Sequence, residues 1–282
     1  MDLWDSHAHL QDPELAPHLE AALRRAEAAG VRRIVCNGTR ESDWPLVARL
    51  AKQMAATHPT VIPCYGLHPW HVSERSARWL QTLETALTSG PSGVGEIGLD
   101  RWIEPRDEAA QESVFREQLA LARRLNRPVM IHCLRAWDWL MRVLREEPPP
   151  DAGLLLHAFG GPLEGIQPLA DMGAYFSFAG DVLFERKAQK RAALERIPPD
   201  RLLLETDAPD MIPPESFRAP ALAGVRRPLL NEPANLAEIL RGVAGLLGES
   251  PEGLAVRVLE NSRRFFKSIQ PGQTSLPDGG VV

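Results

Sequence analysis

Two histidines one residue apart close the opening run Leu3-Trp4-Asp5-Ser6-His7-Ala8-His9. On an extended strand, alternate side chains share a face, so His7 and His9 aim together at one point, as chelation of a metal ion requires. Further candidate ligands stand at the ends of later apolar runs: Glu96, His132, His157 and Asp207. Four imidazoles and two carboxylates are enough for two divalent ions with a shared glutamate bridge, leaving positions open for water and substrate. Taken singly, each has a plainer explanation. Glu96 could close a salt bridge inside the fold, and His132 or His157 could bond to backbone. Taken together, polar residues ending otherwise apolar strands would each need a separate partner. His18, His58 and His71 lie in helix or turn contexts and read as surface residues. Cys133, beside His132, reads as a small packing group.

These residues are carried on a regular alternation. Short apolar runs read as strands at 3–7, 33–36, 61–66, 93–97, 129–132, 153–157, 174–178 and 202–205. Helix-period segments fall between them at 14–29, 43–57, 73–89, 108–125, 137–146, 163–172 and 184–196, and two more follow at 232–247 and 251–266. Alternating strands and helices imply right-handed crossovers and a parallel sheet, and this number of units predicts a closed (β/α)8 TIM barrel. No Gly-x-Gly-x-x-Gly turn follows the first strand, as a dinucleotide fold would require. In a barrel, all C-terminal strand ends open on one face, so His7, His9, Glu96, His132, His157 and Asp207 are expected to converge there.

Composition excludes several classes. The chain has 282 residues, 44% of them hydrophobic and 24% charged, which suits an ordinary globular enzyme. No apolar run is long enough to cross a bilayer and no signal-peptide pattern opens the chain, so a cytoplasmic location is expected. Three widely spaced cysteines make neither a disulfide framework nor a Cys-x-x-Cys metal site. A net charge of −5 disfavours bulk coating of nucleic acid but leaves room for a local basic cleft. The long proline-dense connection 208–231 carries Arg218, Arg226 and Arg227, which either draw a polyanion to the mouth or pair with acidic neighbours such as Asp210 and Glu215. Residues 1–267 read as a single barrel domain, and 268–282 as a disordered tail.

Seven motifs in order, Asp5-Ser6-His7-Ala8-His9-Leu10, Gly66-Leu67-His68-Pro69, Gly93-Val94-Gly95-Glu96-Ile97-Gly98-Leu99-Asp100, Ile131-His132-Cys133, His157-Ala158-Phe159, Leu204-Glu205-Thr206-Asp207-Ala208-Pro209 and Asn231-Glu232-Pro233-Ala234-Asn235, resemble the successive signatures of the TatD-type metal-dependent hydrolases. The resemblance spans residues 1 to about 265. It implies an amidohydrolase-type barrel with a two-metal site and 3′-to-5′ deoxyribonuclease activity on single-stranded ends. It also implies that His7, His9 and Asp207 hold one metal, that His132 and His157 hold the other, and that Glu96 bridges them. Two departures fall where substrate is contacted. Leu134 stands where family members commonly carry arginine, with Arg135 following, and Arg101 precedes Trp102 where an aromatic residue often comes first.

Such a ligand set activates water for attack on phosphorus or a carbonyl carbon. Asp207 is the expected general base, with Glu96 the other catalytic carboxylate. Glu205 either orients the water or makes a structural hydrogen bond, and Asp5 either supports His7 or simply starts the strand. His68 is the candidate grip for a phosphate oxygen, or else a turn-stabilising histidine. Arg135 is expected to meet substrate. Four imidazoles suit Zn or Mn better than Mg. Two other functions stay open beside the phosphodiesterase: hydrolysis of a small amide, ester or lactone, or of an aminoacylated nucleic acid, on the same metal core, and a catalytically dead scaffold. Nothing in the sequence calls for an obligate protein partner.

Overall fold

The structure is a computed structural model, which describes residues 1–56, 59–219 and 222–270. Eight parallel strands follow one another around a barrel: β1 Leu3–Ala8, β2 Val31–Asn37, β3 Thr60–Tyr65, β4 Gly93–Asp100, β5 Val129–Leu134, β6 Leu154–Leu156, β7 Ala174–Phe178 and β8 Leu202–Leu204. Helices α1 Leu19–Ala28, α2 Trp44–Gln53, α3 Trp79–Thr88, α4 Glu108–Leu125, α5 Trp137–Glu146, α6 Ile166–Asp171 and α7 Ala188–Leu194 fill the crossovers, and α8 Leu236–Leu247 and α9 Pro251–Phe265 complete the chain. The (β/α)8 expectation is met. The triplets Leu154-Leu155-Leu156 and Leu202-Leu203-Leu204 are apolar at every position because barrel strands are covered on both faces.

Helix ends follow their local chemistry. Asp107 caps α4 by accepting the N–H of Ala110 at 2.9 Å, and Asn126 ends that helix in the left-handed region at φ 46°. Several helices start later than their periodicity suggests, because 3-10 turns occupy the first residues: Ala16–His18 before α1, Pro69–Glu74 ahead of α3 and Glu185–Lys187 before α7. Proline sits at the start of the first two of these turns, where its fixed φ and missing N–H are tolerated.

The barrel closes between β8 and β1 without a regular ladder. Asp207 donates its backbone N–H to the carbonyl of His7 at 2.9 Å, His9 donates to Ala208 at 2.7 Å, and the Ser6 hydroxyl donates to Leu204 O at 2.9 Å. Opposite Ile34 and Cys36 of β2 stand Asp5 and Ala8, so β1 carries one extra residue there. This bulge breaks the strict alternation that would place Asp5 with His7. The Asp5 carboxylate turns to the seam, where it accepts the N–H of Thr206 at 2.9 Å and its hydroxyl, and it meets His7 only through that residue's backbone N–H at 3.4 Å; burial pushes its carboxyl up to about 8. Between β4 and β5 the approach is close: a side-chain Cβ at Gly98, φ 147°, would lie 2.0 Å from the carbonyl oxygen of His132.

The C-terminal end departs from expectation over three residues. Residues 268–270, expected to be disordered, are not: Lys267–Ile269 form a short turn whose Ile269 is fully buried against the barrel floor, while 271–282 lie outside the described residues. The connection after β8 is tied down. Asn231 donates from Nδ2 to Thr206 O at 2.7 Å, and Glu232 takes a bidentate bond from Arg25 of α1, Nε to Oε1 at 3.0 Å and a terminal nitrogen to Oε2 at 2.6 Å. None of the described helices is long and apolar enough to cross a membrane.

Candidate active site

Glu96, on β4, sits at the centre of the mouth with one carboxylate oxygen directed to each side. Its Oε2 lies 3.3 Å from Nε2 of both His7 and His9. The other oxygen, Oε1, lies 2.8 Å from His157 Nε2, 3.1 Å from His68 Nε2 and 3.2 Å from His132 Nδ1. Beyond the seam, Asp207 Oδ1 stands 3.5 Å from His9 Nε2 and 3.8 Å from His7 Nε2. The rings of His7 and His157 stack at 4.0 Å between centroids. The six expected ligands therefore meet within one cluster, and His68 joins them.

Several of the rings are aimed by a partner on their far side. Nδ1 of His9 bonds the carbonyl of Asn37 at 2.8 Å, which turns Nε2 toward Glu96 and Asp207. Nε2 of His132 bonds Asp100 at 2.8 Å, leaving Nδ1 to face the centre. Glu205 accepts the N–H of Ala158 at 2.7 Å and the hydroxyl of Ser177, and comes within 3.6 Å of His157 Nδ1. Carboxylate and carbonyl partners of this kind orient imidazoles for ligation. His68 accepts the backbone N–H of Trp70 at Nδ1, 3.1 Å, so Nε2 carries its proton. Arg135, Ala158 and Asp207, each just past a strand, hold left-handed φ values of 58°, 46° and 54°. For residues with a Cβ this backbone is unfavourable by about 1–3 kcal/mol each, and such residues cluster at functional sites.

The donors also fit divalent ions on internal evidence. Asp207 Oδ1, His7 Nδ1 and His157 Nδ1 are buried without a hydrogen-bond partner among the described residues, a state that isolated polar atoms rarely tolerate. Three sets bring their ligand atoms within 4.8 Å of one another: His7, His9 and Asp207; His68, Glu96 and His132; His7, His157 and Glu205. Burial works against the charge on Glu96, yet the imidazoles of His157 and His68 hold its carboxyl well below the usual range. Burial likewise opposes the charge on Asp207, but His9 and then His157 keep it low. On His7, burial and the neighbouring His157 push the imidazole down, and burial lowers His68 to about 4. For His9 burial is outweighed by Asp207 and Glu96, and its imidazole rises. The carboxylates are thus held ionised and burial favours neutral His7 and His68, whereas the carboxylates around His9, His132 and His157 outweigh burial and raise those imidazoles, His157 to about 10, so that ligation of a metal there would release protons.

Not every expectation is met in the same way. Glu205 is occupied with Ser177 and Ala158, so of its two readings the hydrogen-bonding one describes the structure. Arg226 and Arg227 are both ion-paired, although the Arg226 side chain is exposed. Glu14 accepts three successive backbone N–H groups from Val225, Arg226 and Arg227 at 3.0, 3.0 and 3.1 Å, and the two guanidiniums pair with Glu14, Asp12 and Asp210. Arg135 lines the mouth and lays its guanidinium over Trp102 at 4.2 Å. His71, read as surface, also lines the mouth, with Nδ1 2.8 Å from Glu74, and His58 lies outside the described residues. Asp100 and Asn37 carry orienting roles that the residue reading did not assign. Asp100 shares strand parity with Glu96, and that signal was present in the sequence. The carbonyl of Asn37 carries none, because a backbone group has no sequence signature. Buried Gln111 and Gln118 of α4 bond the backbone of Asp100 and Leu67, holding the β3 and β4 ends in place.

A buried carboxylate between two groups of imidazoles, at the C-terminal mouth of a (β/α)8 barrel, is the arrangement of a metal-dependent hydrolase. The TatD related DNase family model matches residues 4–267. The chain is 35% identical over 271 residues to the 3′-5′ ssDNA/RNA exonuclease TatD of Pantoea vagans, covering 94% of this chain and 99% of that one. It is 32% identical over 268 residues to the metal-dependent hydrolase YabD of Bacillus subtilis, with 94% and 99% covered. The crystal structure of YjjV, a TatD homologue from Escherichia coli, superposes with a TM-score of 0.83 at 29% identity, covering 94% of this chain and 98% of that one. The protein belongs to the TatD-related DNase family.

Proposed function

We propose that this hydrolase is a phosphodiesterase that removes nucleotides from the 3′ ends of single-stranded DNA, using two divalent ions. The observation that carries the reading is Glu96, whose two oxygens face separate groups of imidazoles on the floor of an open cavity of about 1590 Å³. The relatives named for exonuclease activity on single strands support the choice of substrate. His7, His9 and Asp207 would hold one ion, His132 and His157 the other, and Glu96 would lie between them. When bound, such ions polarise water and a phosphoryl oxygen together.

The chain's own residues supply the rest. Asp207, held ionised, takes the proton of the attacking water and returns it to the leaving 3′ oxygen as the phosphorus–oxygen bond breaks. His68 offers its Nε2–H to a non-bridging phosphoryl oxygen in place of Glu96. Arg135 and Arg186 line the mouth and have no ion-pair partner among the described residues, so their charge is available to a phosphate backbone. A cavity this large and open suits the end of a chain better than a small amide or lactone. The test is a panel of 3′-labelled single strands, duplexes, esters and amides given to metal-stripped protein refilled separately with Mg, Mn and Zn. Metal-dependent release of mononucleotides from single strands is expected. Turnover of esters or amides without cleavage of any phosphodiester would overturn the assignment.

A further inference from the structure

Two indoles stand exposed where β3, β4 and β5 open onto the mouth, and one carboxylate ties both to the centre. Trp70, 47% exposed, donates from Nε1 to Asp100 Oδ2 at 2.7 Å, the same oxygen that bonds His132 at 2.8 Å. Asp100 Oδ1 accepts the backbone N–H groups of Trp102 and Ile103, the latter at 3.1 Å. Trp70 stands edge-on to the imidazole of His68, 5.1 Å between centroids and 87° between planes, and 6.3 Å from that of His132. Trp102 is 56% exposed and is overlaid by Arg135.

About half of the Trp70 ring is turned to the mouth cavity and is not used in packing. It is pinned by its N–H and left half in water beside two imidazoles that touch Glu96. A rigid exposed ring loses little conformational freedom when a planar group settles on it, which makes it a prepared stacking surface. Every nucleobase has a π face, so the fitting occupant is an unpaired base carried on a phosphate chain.

We infer that Trp70 is the stacking platform for the base of the 3′-terminal nucleotide, and that Asp100 positions it relative to His132. This rests on the phosphodiesterase reading and adds to it the determinant that requires an unpaired end. Stacking of this sort tolerates any base, so the four terminal nucleotides should be accepted alike.

The experiment measures binding of two otherwise identical single strands to metal-free protein by fluorescence anisotropy, one ending in a 3′ adenosine nucleotide and the other in an abasic residue. For the wild-type protein, removing the base should weaken binding about 5- to 150-fold, the equivalent of roughly 1–3 kcal/mol for one stacked base. For Trp70→Ala, base removal should make no further difference. Trp70→Phe keeps a ring but loses the bond to Asp100, and should retain most of the discrimination. If Trp70→Ala still discriminates as the wild type does, or weakens both strands equally, the inference is overturned. It is overturned as well if Trp70→Phe behaves as the alanine variant does, since the side chain would then serve only to hold Asp100. Wild-type protein that neither binds nor cleaves single strands defeats the phosphodiesterase reading itself. Cleavage that is indifferent to Trp70 defeats this inference alone.

Discussion

The lower and upper halves of the barrel interior are built on the same strands and have opposite chemistry. At the floor, Trp4, Val35, Ile62, Met130, Leu155, Tyr175 and Leu203 pack into one apolar plug sealed by Phe265, Phe266 and Ile269. Two residues further along these strands stand Asn37, His132, His157, Ser177 and Glu205. A rise of two residues, roughly 6–7 Å, separates a closed hydrocarbon layer from a ring of imidazoles and carboxylates. Stability and chemistry are thus placed in adjacent layers with little overlap. The floor contributes burial and dispersion, while the mouth holds polar atoms without partners among the described residues, such as Asp207 Oδ1, that weaken the fold and prepare the site.

That division can be broken from either side. Asp207→Asn should lower kcat by about 10²- to 10⁴-fold, the usual worth of a general base, with an unchanged melting temperature. Steady-state kinetics beside a thermal melt check this, and retention of more than about a tenth of the rate would refute the role. Phe266→Ala should do the reverse. Its ring is fully buried between Trp4 and Phe265, at 6.4 and 4.7 Å, so truncation should remove about 3–5 kcal/mol of stability in a urea titration. Activity per folded molecule should hold. A fall in both would show that the floor and the mouth are coupled.

The smallest expected effect sharpens the comparison at the rim. Glu14 lies in a cradle of backbone N–H groups, and although burial opposes its charge, the bonds from Arg227 and Arg226 bring its carboxyl down to about 2 from an ordinary value of 4.5. A carboxyl depressed on folding favours the native state fully above its unfolded value and loses that contribution as pH falls through the folded one. Hydrogen exchange at residues 225–227 should therefore stay slow above about pH 4.5, after correction for intrinsic rates, and lose protection progressively toward pH 2. Glu14→Gln should flatten that dependence. Protection unaffected by either change would mean that Glu14 does not hold the loop.

The barrel was legible because the apolar runs and helix-period segments recur in strict alternation, and the ligand cluster because histidine and carboxylate side chains fall at strand ends. Legibility failed where the decisive partner was distant or had no side-chain signature. Parity placed Asp5 with His7, but a one-residue bulge in β1 moved it to Thr206, 201 positions away. Arg226 and Arg227 read equally well as polyanion contacts or as paired surface charges; pairing is decided by Asp210, a neighbour the sequence offers, together with Asp12 and Glu14, more than two hundred residues earlier. Trp70 was no candidate at all, since an indole in a turn looks the same whether it packs or waits for a ligand.

By itself, then, the sequence determined the order of strands and helices, the chemical identity of the centre and the family, because local periodicity and residue type are written one position at a time. Tertiary structure alone decided which nitrogen of each histidine faces Glu96, which arginines have no ion-pair partner among the described residues, and which indole is pinned beside the imidazoles of His68 and His132. Those outcomes depend on hydrogen bonds between groups brought together by barrel closure, such as His9 to the carbonyl of Asn37 and His132 to Asp100. Their energies arise only once water has been excluded and the partners are held in place.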